Sequence, residues 1–303
     1  MIDETGLIKK GNHSVGVKRQ YSGTAGKIEN CQIGVFLTYR TAKGHTFLDR
    51  RLYLPDAWCA DAERRKQAGV PEDVTFQTKP DLAMAMLEHA WANGVPMHWV
   101  LGDEVYGNAV KLRCLVEKTQ RLYLFAVASN TPVWPEPPAV IPPFKPETGR
   151  PRTLVRLAAD ATPSTSVAIV VVAWPAEAWR RLRVAEGAKG PLTYDWACAR
   201  VLESRDGVPG PESWLRARRS ISEPKEIAYY LSNAPADNPL ETLAQKASQR
   251  WSIEQCLEEG KGETGLDEYE VRSWDSWQRH ITLSMMAHAW LASVKAAQVF
   301  PPC

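Results

Sequence analysis

The chain has 303 residues, 44% of them hydrophobic and 24% charged, and this composition indicates a globular protein long enough for one large domain or two modest ones. Its longest apolar run, residues 167–174, is far shorter than the roughly 20 residues of a membrane-spanning helix. The N-terminus has no hydrophobic core of a signal peptide, so we expect a cytoplasmic protein without a membrane partner. Lys and Arg number 37 against 35 Asp and Glu, so the net charge does not by itself indicate a nucleic-acid partner.

The cysteines are scattered along the chain, at positions 31, 59, 114, 198, 256 and 303. No two of them form a short Cys-x-x-Cys pair, which argues against a structural zinc site and against a disulfide framework. We therefore expect reduced thiols, most of them buried.

The first third of the chain predicts strands followed by a helix. Two strand-like runs, residues 31–39 and 45–54, flank Lys43 and Gly44 and predict a hairpin. Residues 81–94 carry apolar side chains at helical spacing and end in glycine, which predicts an amphipathic helix.

The same alternation continues after this helix. A short apolar strand ends at Asp103, a second helix is predicted at about residues 108–120, and a buried strand follows at residues 122–129. Strands that alternate with helices in this way predict an α/β fold, with a mixed sheet flanked by helices.

The amino-acid composition of the chain changes after this strand. Residues 131–151 are so rich in proline that they predict an extended linker or loop. Strand-like runs follow at residues 153–158, 167–174, 179–185, 192–204 and 226–232. We therefore divide the chain into a first core segment (1–129), a proline-rich linker with a mostly β insertion (130–224) and a second core segment (225–303).

A long helix is predicted to begin at Asn238-Pro239, with Asn as N-cap and Pro at the first helical position. In it, Arg250, Glu254 and Lys261 stand at offsets of four and eleven residues and share one stripe, with Trp251 beside them. A solvated face with ion pairs worth a few tenths of a kcal/mol would also explain this pattern. Apolar side chains interrupt the charges, however, so we expect this helix to face inward and Glu254 to have a ligand. A final amphipathic helix covers residues 276–294.

Two aspartates follow short apolar strands. Asp3 follows Met1-Ile2, and Asp103 follows residues 99–102, and the ends of strands are where α/β sheets present functional groups. Either aspartate alone is also explained by the capping of a turn or a helix. Together with Glu254 they make three carboxylates, and ligation by oxygen alone suits magnesium or manganese. We predict that the three side chains converge within a few ångströms at one end of the central sheet.

Several segments resemble one known family, the DDE transposases of bacterial insertion sequences, in the branch whose catalytic helix carries a Tyr-Arg-Glu-Lys signature. Arg250, Glu254 and Lys261 fit the spacing of that signature, while its tyrosine position is Ala247. The remaining similar segments are QYSGTAGKIENCQIGVFL (20–37), DETG (3–6), GDEVYG (102–107) and GLDEYEVRSW (265–274). The resemblance therefore covers nearly the whole chain.

This resemblance implies an RNase H-like core interrupted by a β insertion, and metal-dependent cleavage and transfer of DNA strands. It implies that Asp3, Asp103 and Glu254 hold two Mg²⁺ or Mn²⁺ ions, and that Arg250 and Lys261 hold phosphates of the DNA. Trp251 is expected either to stack on a base, at about 1 to 3 kcal/mol, or to pack in the core.

The partners implied by the resemblance are double-stranded DNA, both transposon terminal repeats and target, and a second copy of the chain in a synaptic homodimer. The implied location is the cytoplasm, in association with the nucleoid. Four basic stretches either form a DNA track or are ordinary solvated clusters: Lys9-Lys10, Lys18-Arg19, Arg180-Arg181-Arg183 and Arg216-Arg218-Arg219. His280 and His288 are expected to be structural.

Other functions remain open at this point. A metal-dependent nuclease on the same fold would cut DNA without joining it, and an inactive or truncated relic would only bind DNA. A glycosidase with paired carboxylates fits least, because it would not explain the cations beside Glu254. Only Met1 and Ile2 precede Asp3, whereas strands typically run about 5 to 6 residues. We therefore expect the chain to be the catalytic part of a longer transposase, with little activity alone.

Overall fold

The computed structural model describes residues 1–144, 153–187 and 190–299, and its strands and helices confirm the predicted α/β class. The strands are β1 (Ile2–Ile8), β2 (Lys18–Ser22), β3 (Lys27–Thr41), β4 (Gly44–Tyr53), β5 (Trp99–Gly102), β6 (Leu122–Val127), β7 (Pro132–Trp134), β8 (Val140–Ile141), β9 (Arg156–Leu157), β10 (Thr165–Ser166), β11 (Arg180–Gly187), β12 (Gly190–Arg205), β13 (Val208–Arg219) and β14 (Ile227–Ser232). The helices are α1 (Asp56–Cys59), α2 (Ala62–Gln67), α3 (Lys79–Ala92), α4 (Glu104–Gly107), α5 (Val110–Lys118), α6 (Val167–Val172), α7 (Leu240–Gln249), α8 (Trp251–Thr264) and α9 (Trp274–Val299). Within the described ranges, no helix combines the length and the apolar character needed to span a bilayer.

The chain folds into two compact units. The described residues of Met1–Gly102 and Gln249–Cys303 form the first, which we call the terminal unit, and those of Asp103–Ser248 form the second, the central unit. The division into segments 1–129, 130–224 and 225–303 stays a prediction about domain organisation.

The terminal unit is built on a sheet in which β3 pairs antiparallel with β1, β2 and β4. The predicted hairpin is confirmed, since β3 and β4 pair up to Thr41 and Gly44 beside the turn. Helix α3 packs on β3 and β4, α8 packs on β1, β3 and β4, and α9 packs on β4 and α8. The close approach of α8 to β4 requires Gly260, where a Cβ atom would lie 3.0 Å from the ring of Phe47.

The position of Asp3 within its strand differs from the prediction. β1 continues through Glu4, Thr5 and Gly6, which pair with β3, so Asp3 is the second residue of a seven-residue strand and does not follow its end. Gly6 permits this continuation because a Cβ atom there would lie 2.2 Å from Oγ of Ser22. The polar sequence after Ile2 therefore does not stop the strand, since pairing with β3 satisfies its backbone.

The central unit contains an antiparallel sheet with the strand order β10-β7-β12-β13-β14-β6, and β11 also pairs with β12. The strands predicted at residues 179–185, 192–204 and 226–232 are confirmed. Of residues 153–158, only Arg156–Leu157 forms a strand, β9, which pairs with β8. Residues 145–152 of the proline-rich linker lie outside the described residues.

The apolar run at residues 167–174 forms helix α6 over its first six residues and not the predicted buried strand. Helix α6 begins after Ser166, whose hydroxyl accepts a hydrogen bond from the backbone N–H of Ile169 at 3.3 Å. Its apolar residues divide between two faces, since Ile169 and Val172 are 64% and 78% exposed whereas Val167, Val170 and Val171 are buried. A short run that is apolar at every position carries no period, so the N-cap decides between strand and helix.

The long helix predicted from Asn238-Pro239 is interrupted. The helices α7 and α8 are separated at Arg250, whose backbone keeps helical angles, with φ −54° and ψ −34°. The carbonyl of Arg250 accepts a hydrogen bond from the N–H of Ile253, three residues on, at 3.1 Å. Arg250 thus stands at the N-terminus of α8.

Candidate active site

Helix α8 carries three of the six predicted site residues, and Arg250 stands at its N-terminus. Its packed side is formed by Ser252, Ile253, Cys256, Leu257 and Gly260, which are buried. Glu254 lies on the other side of the helix, with a side chain that is 44% exposed. The small and apolar side chains already fill the face against the sheet, which leaves the carboxylate in solvent and in the first turn of the helix, where the helix dipole favours a negative charge.

Arg250 brings two of the predicted carboxylates together within the terminal unit. Its Nη2 donates to Oε1 of Glu254 at 2.8 Å, and its Nη1 lies 3.5 Å from Oδ2 of Asp3. Oδ1 of Asp3 accepts a hydrogen bond from the backbone N–H of Glu4 at 2.8 Å. The carboxylates of a β1 residue and an α8 residue therefore share one guanidinium group.

Asp103 follows the last residue of β5 directly and begins helix α4. Its Oδ1 accepts a hydrogen bond from the backbone N–H of Val105 at 2.9 Å, so the helix-capping role is present. Strand β5 lies beside β1 in the terminal unit, whereas Asp103 belongs to the central unit. The convergence of Asp103 with Asp3 and Glu254 stays a prediction.

Lys261 contacts a hydroxyl group and not the carboxylate of Glu254. Its Nζ donates to Oγ1 of Thr24 at 3.0 Å, and that hydroxyl lies 3.2 Å from Oγ1 of Thr5 in β1. Burial lowers the pKa of Lys261. Seven residues along a helix correspond to about 10 Å, so Lys261 and Glu254 share a stripe without touching.

Trp251 is the first residue of α8 and is 46% exposed. The apolar contacts of this end of the helix are made by Ile253, which is fully buried. A half-exposed indole beside Arg250 and Glu254 has a free portion on which a planar group can stack.

Two residues of the predicted basic stretches are buried and do not belong to a DNA track. In the terminal unit, Nζ of Lys9 donates to the carbonyl of Tyr269 and lies 3.5 Å from the centre of its ring. In the central unit, Arg216 is fully buried, lies over the ring of Trp196 and donates to the carbonyl of Leu240 at 2.9 Å. Charge clusters in a sequence do not reveal which members alternate into a core.

One further carboxylate stands next to the predicted site. Glu4 follows Asp3 in β1, and its Oε1 accepts a hydrogen bond from Nζ of Lys79, at the start of α3, at 2.5 Å. Its signal in the sequence is the DETG segment, in which two acidic residues are adjacent. The terminal unit thus presents Asp3, Glu4 and Glu254 as oxygen donors near two cationic side chains.

Comparison with known proteins gives two matches. Residues 1–191 match the DDE superfamily endonuclease family. A segment of 132 residues, 43% of this chain, is 33% identical to a protein of Microchaete diplosiphon described as a probable transposase for insertion sequence element IS701. That segment covers 32% of the length of the Microchaete protein.

Proposed function

Because the chain belongs to the DDE superfamily endonucleases, we propose that it is a transposase that cleaves DNA at the ends of an insertion sequence and joins them to target DNA. The observation that carries this proposal is the pair of carboxylates, Asp3 and Glu254, held by Arg250. The relative described as a transposase supports the step from endonuclease to transposase.

The proposed metal ligands are Asp3, Asp103 and Glu254, for two Mg²⁺ or Mn²⁺ ions, and divalent ions are the usual cofactors of this family. The donor set fits, because it consists of carboxylate oxygens, which are the ligands these ions prefer. Asp3 and Glu254 are 14% and 44% exposed, so both oxygen groups are accessible from solvent. Divalent ions in such a site activate the attacking oxygen and stabilise the leaving oxygen of a phosphodiester.

The cationic and aromatic side chains have a different proposed role. Arg250 and Lys261 contact backbone phosphates of the terminal strand and fix its position without reading its sequence. Trp251 stacks on an exposed base beside them. A phosphate that binds Arg250 competes with Glu254 and Asp3 for the guanidinium, so substrate binding releases carboxylate oxygens.

The proposed reaction has two steps, cleavage of a strand and its transfer to target DNA. Water attacks the phosphodiester at the transposon end, the P–O3′ bond breaks, and the strand keeps a 3′-hydroxyl. This hydroxyl then attacks a phosphodiester of the target, forming a new P–O bond and releasing a target 3′-hydroxyl. The proposed partners are double-stranded DNA and a second copy of the chain in the synaptic complex, and the proposed location is the nucleoid.

The test is a cleavage and joining assay in Mg²⁺ with labelled terminal repeats, both intact and pre-cut. Glu254→Gln and Asp103→Asn are expected to abolish cleavage, because each removes a proposed metal ligand and no phosphate contact, with DNA binding retained. Glu258→Gln, an exposed glutamate on the same helix, is the matched control and should cleave normally. The exposed Arg250–Glu254 pair stabilises the fold by only about 0.5 kcal/mol, so a loss of activity in Glu254→Gln does not reflect unfolding.

Each alternative function gives a different result. Cleavage of intact ends without joining of pre-cut ends indicates a nuclease. Binding without cleavage or joining indicates a relic that only binds DNA. Normal cleavage by Glu254→Gln would show that the metal ligands are assigned wrongly.

A further inference from the structure

A second group of metal-binding side chains lies within the terminal unit, where β4, α8 and α9 pack together. One ligand atom from each of His45, Cys256 and His288 lies within 4.8 Å of the other two. Sγ of Cys256 is 3.8 Å from Nε2 of His288, and both residues are buried. These residues come from three elements that are far apart in the sequence, so only tertiary packing brings them together.

Glu259 lies against the two histidines of this group. One oxygen of its carboxylate, Oε2, lies 2.9 Å from Nε2 of His45 and 3.3 Å from Nε2 of His288. In a tetrahedral zinc site, with bonds of about 2.0 to 2.3 Å, neighbouring ligand atoms are about 3.3 to 3.6 Å apart. Three separations in this group, 2.9, 3.3 and 3.8 Å, are close to that range, and the remaining pairs would have to adjust to surround one ion.

The histidine ring at the centre of the group is held in place. Nδ1 of His288, on the side away from Cys256, lies 3.4 Å from Oγ1 of Thr46. The ring of Phe47 contacts the His288 ring edge-on, with centroids 5.0 Å apart. A hydrogen bond to the remote ring nitrogen is typical of metal-bound histidine, because it fixes the tautomer and the ring orientation.

An opening reaches the group from solvent. A cavity of about 460 Å³ is lined by His45, Glu259 and His288, together with Lys43 and Lys295 at its border. An ion can therefore enter without unfolding of the helices, which is one requirement for a metal site.

We propose a zinc site that links β4 to α8 and α9, with His45, Cys256, Glu259 and His288 as its ligands. Thiolate and imidazole ligands favour zinc over magnesium, so this site differs chemically from the all-oxygen set proposed for catalysis. Binding forms a Zn–S bond and releases the proton of the Cys256 thiol to solvent. Four protein ligands close the coordination shell, which is the arrangement of structural zinc sites.

The proposed zinc ion would restrict the movement of helix α8. Cys256 and Glu259 belong to the same helix as Glu254, which stands two residues before Cys256. A zinc ion at this site would hold α8 against the sheet and fix the carboxylate relative to β1. The proposal stands independently of transposase activity, because it concerns only metal binding and stability.

The first experiment measures zinc content and cobalt spectra of the full 303-residue chain. We expect one zinc ion per chain by elemental analysis, and a sulfur-to-cobalt charge-transfer band after replacement by Co²⁺. Cys256→Ser should lose the band and most of the zinc. Cys31→Ser, which alters another buried cysteine of the terminal unit, is the matched control and should keep both.

The second experiment still tests the proposal if the Cys256→Ser variant fails to fold. Zinc added to the wild-type chain after treatment with a chelator should raise its Tm, whereas magnesium should not. Glu259→Gln and His45→Gln change side chains that are partly exposed, and each should weaken zinc binding at least about tenfold while the folded spectrum is kept. A wild-type chain without zinc, without the cobalt band and with an unchanged Tm would overturn the proposal and identify the group as a hydrogen-bonded core network. A cobalt band that persists in Cys256→Ser would also overturn it.

Discussion

Asp3 and Glu254 share the guanidinium of Arg250, at 3.5 Å and 2.8 Å respectively. The first carboxylate is on β1 and the second is on α8, and both elements belong to the terminal unit. A single positive charge between two carboxylates reduces their mutual repulsion. A divalent cation that binds the same oxygens must therefore compete with Arg250.

Removal of this competing charge should strengthen metal binding in the absence of DNA. We expect Arg250→Gln to bind Mn²⁺ more tightly by about 2 kcal/mol, the repulsion between a unit charge and a divalent ion about 4 Å apart in water. Titration calorimetry or the electron spin resonance signal of free Mn²⁺ measures this affinity. Arg279→Gln, an exposed arginine on α9, is the control and should change nothing. Weaker Mn²⁺ binding by Arg250→Gln would instead mean that Arg250 orders the ligands.

Lys261 should act through phosphate binding. We expect Lys261→Ala to weaken binding to cleaved ends of all sequences about equally, and to reduce the slope of log affinity against log salt by about 1. Lys66→Ala, an exposed lysine on α2, should leave the slope unchanged. Binding measured by fluorescence anisotropy over a range of salt concentrations distinguishes the two. An unchanged slope in Lys261→Ala would remove Lys261 from the DNA interface.

Stacking by Trp251 can be measured on DNA with an unpaired base at its end. We expect Trp251→Ala to lose about 1 to 3 kcal/mol of binding free energy on this substrate and less on a blunt duplex. Trp251→Phe should keep part of the stacking energy, because it keeps an aromatic face. Trp290→Ala removes an even more exposed tryptophan, at 64% against 46%, and serves as the control. An equal loss on both substrates would contradict stacking.

A buried ion pair should dominate the stability of the central unit. Glu203 accepts a hydrogen bond from Nε of Arg113 at 3.0 Å and also contacts Arg205, Tyr123 and Ser213. Glu203→Gln leaves the Arg113 charge buried without its partner, so we expect a loss of about 3 to 5 kcal/mol in the free energy of unfolding at pH 7. Glu212→Gln should cost at most about 1 kcal/mol, because Glu212 pairs with Arg200 while 58% exposed. Chemical denaturation measures both values.

Glu203 should also affect how the free energy of unfolding decreases at acidic pH. Burial alone would raise the pKa of Glu203, but the Arg113 charge and the hydrogen bond from Tyr123 outweigh it and lower the pKa. A lowered pKa in the folded state stabilises the protein above the unfolded value of about 4.3, and that stabilisation is lost as the pH falls through the folded value. The difference between wild type and Glu203→Gln should therefore shrink below about pH 4. A difference that stays constant to pH 3 would contradict this assignment.

Substitution by alanine should change the stability of the protein in opposite directions at Gly107 and Gly262. A Cβ atom at Gly107 would lie 1.8 Å from the carbonyl oxygen of Ala126, so the backbone must move, and we expect a loss of about 1 to 3 kcal/mol. Gly262, in the last turn of α8, has open space where a Cβ atom would be. We expect Gly262→Ala to stabilise the protein by up to about 1 kcal/mol through helix propensity. Thermal unfolding of the two variants, compared with the wild type, tests both signs.

Local interactions allowed several features to be predicted from the sequence alone. The turn at Lys43 and Gly44 gives the hairpin of β3 and β4, and the i,i+4 spacing of Arg250 and Glu254 gives their ion pair. The strands at residues 179–185, 192–204 and 226–232 could also be predicted, because polar and apolar residues mix there over segments of strand length. Each of these depends on residues that are neighbours along the chain.

The secondary structure of the apolar run at residues 167–174 could not be predicted in the same way. Its composition is compatible with a buried strand or a buried helix, and the outcome depends on the cap at Ser166 and on what packs against each face. The burial of Lys9, which follows β1, and of Arg216, which lies in β13, depends on tertiary packing in the same way, since a charged residue becomes buried only when a neighbouring element covers it.

The sequence by itself determined the α/β class, the family resemblance and the identity of the carboxylates and cations that could act on DNA. Only the tertiary structure decided that Asp3 meets Arg250 across 247 residues, and that His45, Cys256 and His288 lie together although no cysteine spacing indicates a metal site. The physical reason is that a side chain's position relative to its neighbours in sequence is set by helix and strand geometry. Its position relative to distant residues is set by how α8 and α9 pack on the sheet, which depends on many weak contacts summed over the whole unit.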